Sequence, residues 1–113
     1  MNKINIKPLS VNQCWQGKRF KTPEYKAYER EMLFKLPALK LPDSDRLCLH
    51  ILVGYSNKQA DIDNILKPLL DILQKKYRFN DNQIYRLLVE KFITYKGGEF
   101  ISFKFTEMND YLF

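Results

Sequence analysis

The run Leu47-Cys48-Leu49-His50-Ile51-Leu52-Val53, within Arg46 to Tyr55, constrains the fold of this chain more than any other stretch, because it is apolar at nearly every position. A strand with one wet face alternates, whereas one rich in Leu, Ile and Val at both parities belongs inside a sheet. Its two faces would carry Leu47, Leu49, Ile51, Val53 and Tyr55 on one side and Cys48, His50 and Leu52 on the other. Gly54 and the polar run Ser56-Asn57-Lys58-Gln59 close it.

Around this strand the pattern changes period. Lys3 to Lys7 alternates polar and apolar and stops at Pro8, which predicts a short strand. Ser10 to Lys21 reads as a polar, basic loop. Thr22-Pro23-Glu24 predicts a helix start, with Thr as cap, Pro at the first helical position and an acid in the first turn. Tyr25, Tyr28, Met32, Leu33 and Leu36 then recur at helical spacing up to Pro37. After the connector 38–45 and the central strand, Ile62, Ile65, Leu66, Leu69, Leu70 and Leu73 predict the buried face of a second helix, with Asp63, Lys67, Asp71 and Lys75 opposite. Pro68 conflicts with a helix capped by Asp63, because it would lie in the helix interior; a start at Asn64 or later removes the conflict. Asn80-Asp81-Asn82 is a turn signal. Ile84 to Lys96 is strand-compatible, Gly97-Gly98 predicts a two-residue hairpin loop, and Phe100 to Phe105 the returning strand. The expected fold is α/β (α+β): a small mixed sheet with two main helices, in one domain spanning 1–113.

A chain of 113 residues with 45% apolar and 28% charged content can bury a core without staples. It has no run of eighteen apolar residues, and charges interrupt residues 1–7 where a signal peptide needs an apolar segment, so a soluble cytoplasmic protein is expected. Cys14 and Cys48 are then expected as reduced thiols. The net charge of +6 is uneven: residues 1–40 hold nine Lys/Arg against three acids, and residues 41–113 hold ten of each. That asymmetry suits a polyanionic partner, although a solvated basic surface accounts for it equally well. Lys18, Arg19, Lys21, Lys58, Lys75, Lys76 and Arg78 are the candidate DNA-binding residues.

The chemistry concentrates in Asp61-Ile62-Asp63-Asn64-Ile65-Leu66-Lys67 and in Asp81. Two aspartates two apart on extended backbone face one side, and a lysine four residues past the second would sit one turn above it if a helix began there. Three carboxylates within about 4–5 Å of one another would repel by several kcal/mol at a surface dielectric, which calls for a cation. Mg²⁺ takes carboxylate oxygens, keeps several waters and completes its shell with phosphate. The plain alternative is structural: Asp-x-Asp-Asn as helix capping, Asp81 as a turn residue, and Lys67 with Asp71 as an exposed i,i+4 pair. An EF-hand is excluded, since Leu66 and Ile72 stand where that loop needs Gly and Glu. Gly-rich phosphate loops, Gly-x-Ser-x-Gly and Cys-x-x-Cys are absent. His50, the single histidine, is expected in the core rather than as a ligand.

These residues resemble the RusA family of Holliday junction resolvases, which are small homodimeric, magnesium-dependent endonucleases. The likeness rests on Asp61 to Asp71, on Asn80-Asp81-Asn82-Gln83-Ile84, on Lys91 and Lys96-Gly97-Gly98, and on Ser10-Val11-Asn12-Gln13 with Thr22 to Tyr28. It extends over residues 2–108, with Asn80 as a departure where members often carry an acid. The resemblance implies that Asp61, Asp63 and Asp81 bind Mg²⁺, with Mn²⁺ as a substitute, and that Lys67 is the catalytic lysine. It also implies a homodimer that makes paired cuts in four-way DNA junctions, with no organic cofactor and no membrane partner. Two rival readings stay open: a non-catalytic basic DNA-binding module, and a metal nuclease for other branched DNA.

Overall fold

The computed structural model describes residues 1–17 and 20–108. A four-stranded mixed sheet runs in the order β1 (Asn2–Asn5), β6 (Phe100–Glu107), β4 (Leu47–Tyr55), β5 (Ile84–Ile93). The apolar run is indeed an interior strand: β4 pairs antiparallel with β6, Ile51 opposite Phe103, and parallel with β5, Ile51 opposite Val89. The parallel pair is joined by α2 (Leu66–Tyr77), the long crossover that parallel neighbours require.

Both helices pack on one face. α1 (Pro23–Lys35) starts at Thr22, whose hydroxyl accepts from the Tyr25 N–H, and buries Tyr25, Tyr28 and Met32. These side chains join Leu69, Ile72 and Leu73 of α2 over Ile4, Leu49, Ile51, Val53, Ile101 and Phe103 of the sheet. Tyr77, Phe79, Phe103 and Phe105 extend the cluster through edge and tilted ring contacts, and the Tyr77 hydroxyl donates to the Pro37 carbonyl at 2.7 Å. Ile51 is fully buried at the centre. Ile51→Ala is expected to lower unfolding stability by about 2–5 kcal/mol, read as an earlier urea midpoint with unchanged slope.

Several local expectations change. The predicted loop 10–21 contains a 3₁₀ turn (Val11–Gln13) with its own capping box and a short hairpin, β2 (Trp15–Gln16) with β3 (Phe20–Lys21). Gly97-Gly98 does not close a hairpin, because β4 inserts between β5 and β6. The glycines instead close a turn in which Gly98 N–H donates to the Tyr95 carbonyl, Gly97 taking φ 93°. Pro68 is the third residue of α2, where the missing N–H has no intrahelical acceptor to lose. Ile62 is exposed on the turn before the helix, and Ile72 takes the core position. His50 is not a core residue: its ring lies 2.7 Å from the Glu90 carboxylate and is 36% exposed.

The second sheet face, with Cys48, His50 and Leu52 of β4, is covered by no described element. Register places Leu88, Glu90 and Phe92 of β5 and Phe100, Ser102 and Lys104 of β6 on it. Gly54 permits a close approach there, since an added Cβ would collide with the Phe100 ring. β5 is moreover an edge strand, with Tyr85, Leu87, Leu88, Phe92 and Ile93 all exposed. Cys14 and Cys48 are free thiols. Among the described residues no helix is long and apolar enough to cross a membrane.

Candidate active site

Asp61 and Asp63 lie just beyond the C-terminal end of β4, in consecutive turns that lead into α2. The loop is tied down by its backbone. Val11 N–H donates to the Asn64 carbonyl at 2.8 Å, the Tyr55 hydroxyl donates to the Asp61 carbonyl at 3.4 Å, and the Lys91 ammonium donates to the carbonyls of Lys58 at 3.1 Å and Ala60 at 2.7 Å. The carboxylates themselves are left over. Both side chains are exposed, and neither accepts a hydrogen bond or ion pair among the described residues.

Capping does not explain them. The residue preceding α2 is Ile65, in helical backbone conformation and without a side-chain cap. Asp63 reaches the helix only through its main chain, whose carbonyl accepts from Leu66 N–H at 3.1 Å. The Tyr55 phenol reports both carboxylates: burial, then the charges of Asp63 and Asp61, push its pKa up to about 12. The two acids therefore share one neighbourhood around that hydroxyl.

Lys67 departs from its expected pairing. Because the helix begins at Leu66, its ammonium points along the helix to Asp71 Oδ1 at 3.0 Å, as in the plain i,i+4 reading. An exposed pair of this kind is worth only a few tenths of a kcal/mol, so a phosphate can compete for the lysine.

Asp81 is elsewhere. It opens the 3₁₀ turn Asp81–Gln83 before β5, and β5 runs parallel to β4 with Ile84 beside Leu47. Asp81 is thus at the N-terminal end of the strand pair, and Asp61 and Asp63 at the C-terminal end. Nine residues of β4 at ~3.3 Å each separate those ends by roughly 26 Å. Accordingly no group of three His, Cys, Asp or Glu among the described residues can hold a metal ion within one protomer. The expected convergence of Asp61, Asp63 and Asp81 in a single chain is not what the fold builds. Among the described residues the Asp81 carboxylate, like the other two, has no hydrogen-bond or ion-pair partner. Asn80 and Gln83 supply the capping box of its turn, and Gln74 Oε1 accepts its backbone N–H at 2.9 Å.

Of the basic candidates, Lys18 and Arg19 lie outside the described residues. Lys21 and Lys75 both clamp Glu29, at 2.9 and 3.1 Å. Burial of Glu29 opposes its ionisation, but these two lysines outweigh it and hold its pKa below the usual carboxylate range. Lys76 donates to the Leu33 carbonyl. Arg78 ends α2 in left-handed conformation, φ 57°. Lys58 is exposed beside the acidic loop.

Lys91 is a positioning residue that spacing alone could not reveal, since its acceptors stand 31 and 33 residues earlier in the chain. In the sequence it stands out only through the family resemblance, because Arg86 and Glu90 are charged residues of the same strand. Lys91→Met is expected to cost about 1–3 kcal/mol, the range for hydrogen bonds to a charged group, and to raise amide exchange in residues 58–64 above that of β4.

Two carboxylates at an exposed loop suit Mg²⁺, which needs only one or two from the protein when phosphate oxygens and water fill the rest. A family model described as endodeoxyribonuclease RusA matches residues 10–102, a span that includes Asp61, Asp63, Lys67 and Asp81. No curated protein matches the chain.

Proposed function

The chain belongs to the RusA family of endodeoxyribonucleases, and from that premise we propose that it is a Mg²⁺-dependent Holliday junction resolvase acting as a two-fold homodimer. Hydrolytic cutting of branched DNA comes with the family; the metal, the assembly and the residue roles are our reading. The observation that carries it is that Asp61, Asp63 and Asp81 are all exposed and that none of the three caps a neighbouring helix or turn among the described residues.

The separation of Asp81 from the other two supports a composite site. A two-fold axis perpendicular to the strands sets two protomers antiparallel, so the N-terminal strand end of one meets the C-terminal end of the other. Asp61 and Asp63 then face the partner's Asp81, twice over. The edge strand β5 spans both ends and exposes Tyr85, Leu87, Leu88, Phe92 and Ile93, apolar surface of the kind that association buries.

In this assembly Asp61, Asp63 and the partner's Asp81 would hold Mg²⁺, and Mn²⁺ in its place. A divalent cation there supplies charge for the phosphoryl oxygens and acidity to the attacking water. Lys67, released from Asp71, places an ammonium beside the phosphate as negative charge builds in the transition state. Lys91 and Tyr55 hold the loop carbonyls, so both aspartates are positioned before substrate arrives. Two sites related by a dyad match the near two-fold symmetry of a four-way junction, which gives paired cuts read from shape and phosphate geometry.

The test is a gel assay of fixed four-way, three-way, flap and duplex substrates with Mg²⁺ or EDTA. Paired nicks in the four-way junction with Mg²⁺ only, reduced by Lys67→Ala, are expected. Equal binding in both conditions without nicks would leave a non-catalytic module, and a preference for flaps would redirect the same chemistry to other branches.

A further inference from the structure

Beside the acidic loop lies a cavity of about 170 Å³ whose lining includes Lys7, Gln13, Tyr55, Ser56, Asn64 and Glu99. That is smaller than the roughly 300–1,000 Å³ of sites for drug-sized ligands, and suits a single heterocycle. Ala60 and Asn64, the residues on either side of the Asp61 to Asp63 segment, both line it. Whatever enters it is therefore next to the groups that would meet a phosphate.

Its polar groups select the ligand. The Asn64 side-chain amide has no hydrogen-bond partner among the described residues. Gln13 uses Oε1 to accept from Ser10 N–H, which leaves its amide N–H groups to donate. Glu99 is fixed by Ser56 Oγ at 2.8 Å and Gly97 N–H at 2.8 Å. Its own backbone N–H first, then Ser56, hold its carboxyl below the usual range, so it presents acceptors only. The Lys7 charge is already answered by that carboxylate, so the cavity offers a phosphate no net positive charge, and an apolar group would strip Glu99 of water. A base edge satisfies both sides, because a carboxylate accepts from an exocyclic amine while amides reach ring nitrogens and carbonyls.

We propose that this cavity receives one unpaired nucleobase of the cut strand, a base carrying an exocyclic amine, held by Glu99, Asn64 and Gln13. The inference rests on the nuclease reading for its substrate and gives that site its sequence preference. Extruding a base costs a few kcal/mol within a duplex and least where it is already unpaired, as at a branch point. The cavity thus favours cutting at the crossover over cutting within an arm.

Two measurements separate this inference from the reading beneath it. In EDTA and at saturating protein, a four-way junction with 2-aminopurine at the branch is expected to brighten on binding wild type and not on binding Glu99→Gln; the same analogue within an arm stays silent. With Mg²⁺, junctions carrying thymine or an abasic residue at that position are expected to be cut about tenfold more slowly than those carrying cytosine, adenine or guanine, the size of one base-edge contact. Glu99→Gln should narrow that spread. A branch signal identical in wild type and Glu99→Gln overturns the base site, whatever the cleavage result. A Glu99-dependent signal with no cleavage of any substrate keeps the base site and overturns the nuclease reading.

Discussion

Asp61→Asn and Asp63→Asn are each expected to abolish detectable junction cleavage while leaving junction binding intact or tighter. The substitution keeps shape and removes one negative charge. Among the described residues neither carboxylate caps the helix or joins an ion pair, so the thermal midpoint is expected not to move. The groups that merely orient a metal's ligands are worth about 10–100-fold in affinity or activity, so loss of a ligand itself should exceed ~10²-fold. Binding moves the other way, because a surface that meets phosphates loses a repulsive charge, an effect of about 1 kcal/mol or less near water. The two readouts come from one experiment: a mobility shift in EDTA and cleavage after Mg²⁺ is added. Cleavage at wild-type rate by either variant would remove that aspartate from the mechanism. Loss of binding alongside cleavage would point to a structural role that the hydrogen-bond pattern does not contain.

The parts of this molecule that were legible in its sequence are those governed by local rules. Thr22 and Pro23 open a helix because a cap and a fixed φ act within one turn, and Arg46 to Tyr55 is interior because its apolar content has no wet parity. What was not legible depends on partners far along the chain. Two glycines after a strand signal a hairpin only if the next strand pairs back, and here β6 pairs on the far side of β4, leaving Gly97 and Gly98 in a turn between non-neighbours. His50 reads as a core residue from its apolar neighbours. Its parity, however, puts it on the face no helix covers, where Glu90, forty residues away, supplies its partner.

The site divides in the same way. Asp61 and Asp63 belong to one loop and both act on Tyr55, but they stand in turns and not on the extended backbone that a spacing of two was expected to use. Asp81 was grouped with them by motif, and motif order carries no distance. The strand direction decides: a parallel crossover returns the chain to the start of the neighbouring strand, so a residue before β5 cannot lie beside one after β4. Lys67 illustrates a third case, in which the sequence allows two pairings and the helix start chooses between them: with the helix beginning at Leu66, the ammonium rests on Asp71, its plain i,i+4 partner.

Mixing two inactive proteins should restore activity if the acids meet across the two-fold. Asp63→Asn and Asp81→Asn homodimers each carry a defect in both sites. In a mixed dimer, one site combines both defects and the other draws its Asp63 from one chain and its Asp81 from the other, and is intact. Random exchange makes about half the dimers mixed, so roughly a quarter of all sites recover. Each mixed dimer cuts one strand only, so the recovered product is a junction with a single nick, which a denaturing gel distinguishes from the paired cuts of wild type. If instead all three acids served one protomer's site, every chain in the mixture would hold a defect and no combination could cut. Mixing Asp61→Asn with Asp63→Asn is the control, because those two acids share a loop and every site in that mixture lacks one of them. Recovery in the first mixture and silence in the second place Asp81 opposite the loop of the other chain. Silence in both, with dimer exchange verified by differently tagged subunits, would refute the composite site.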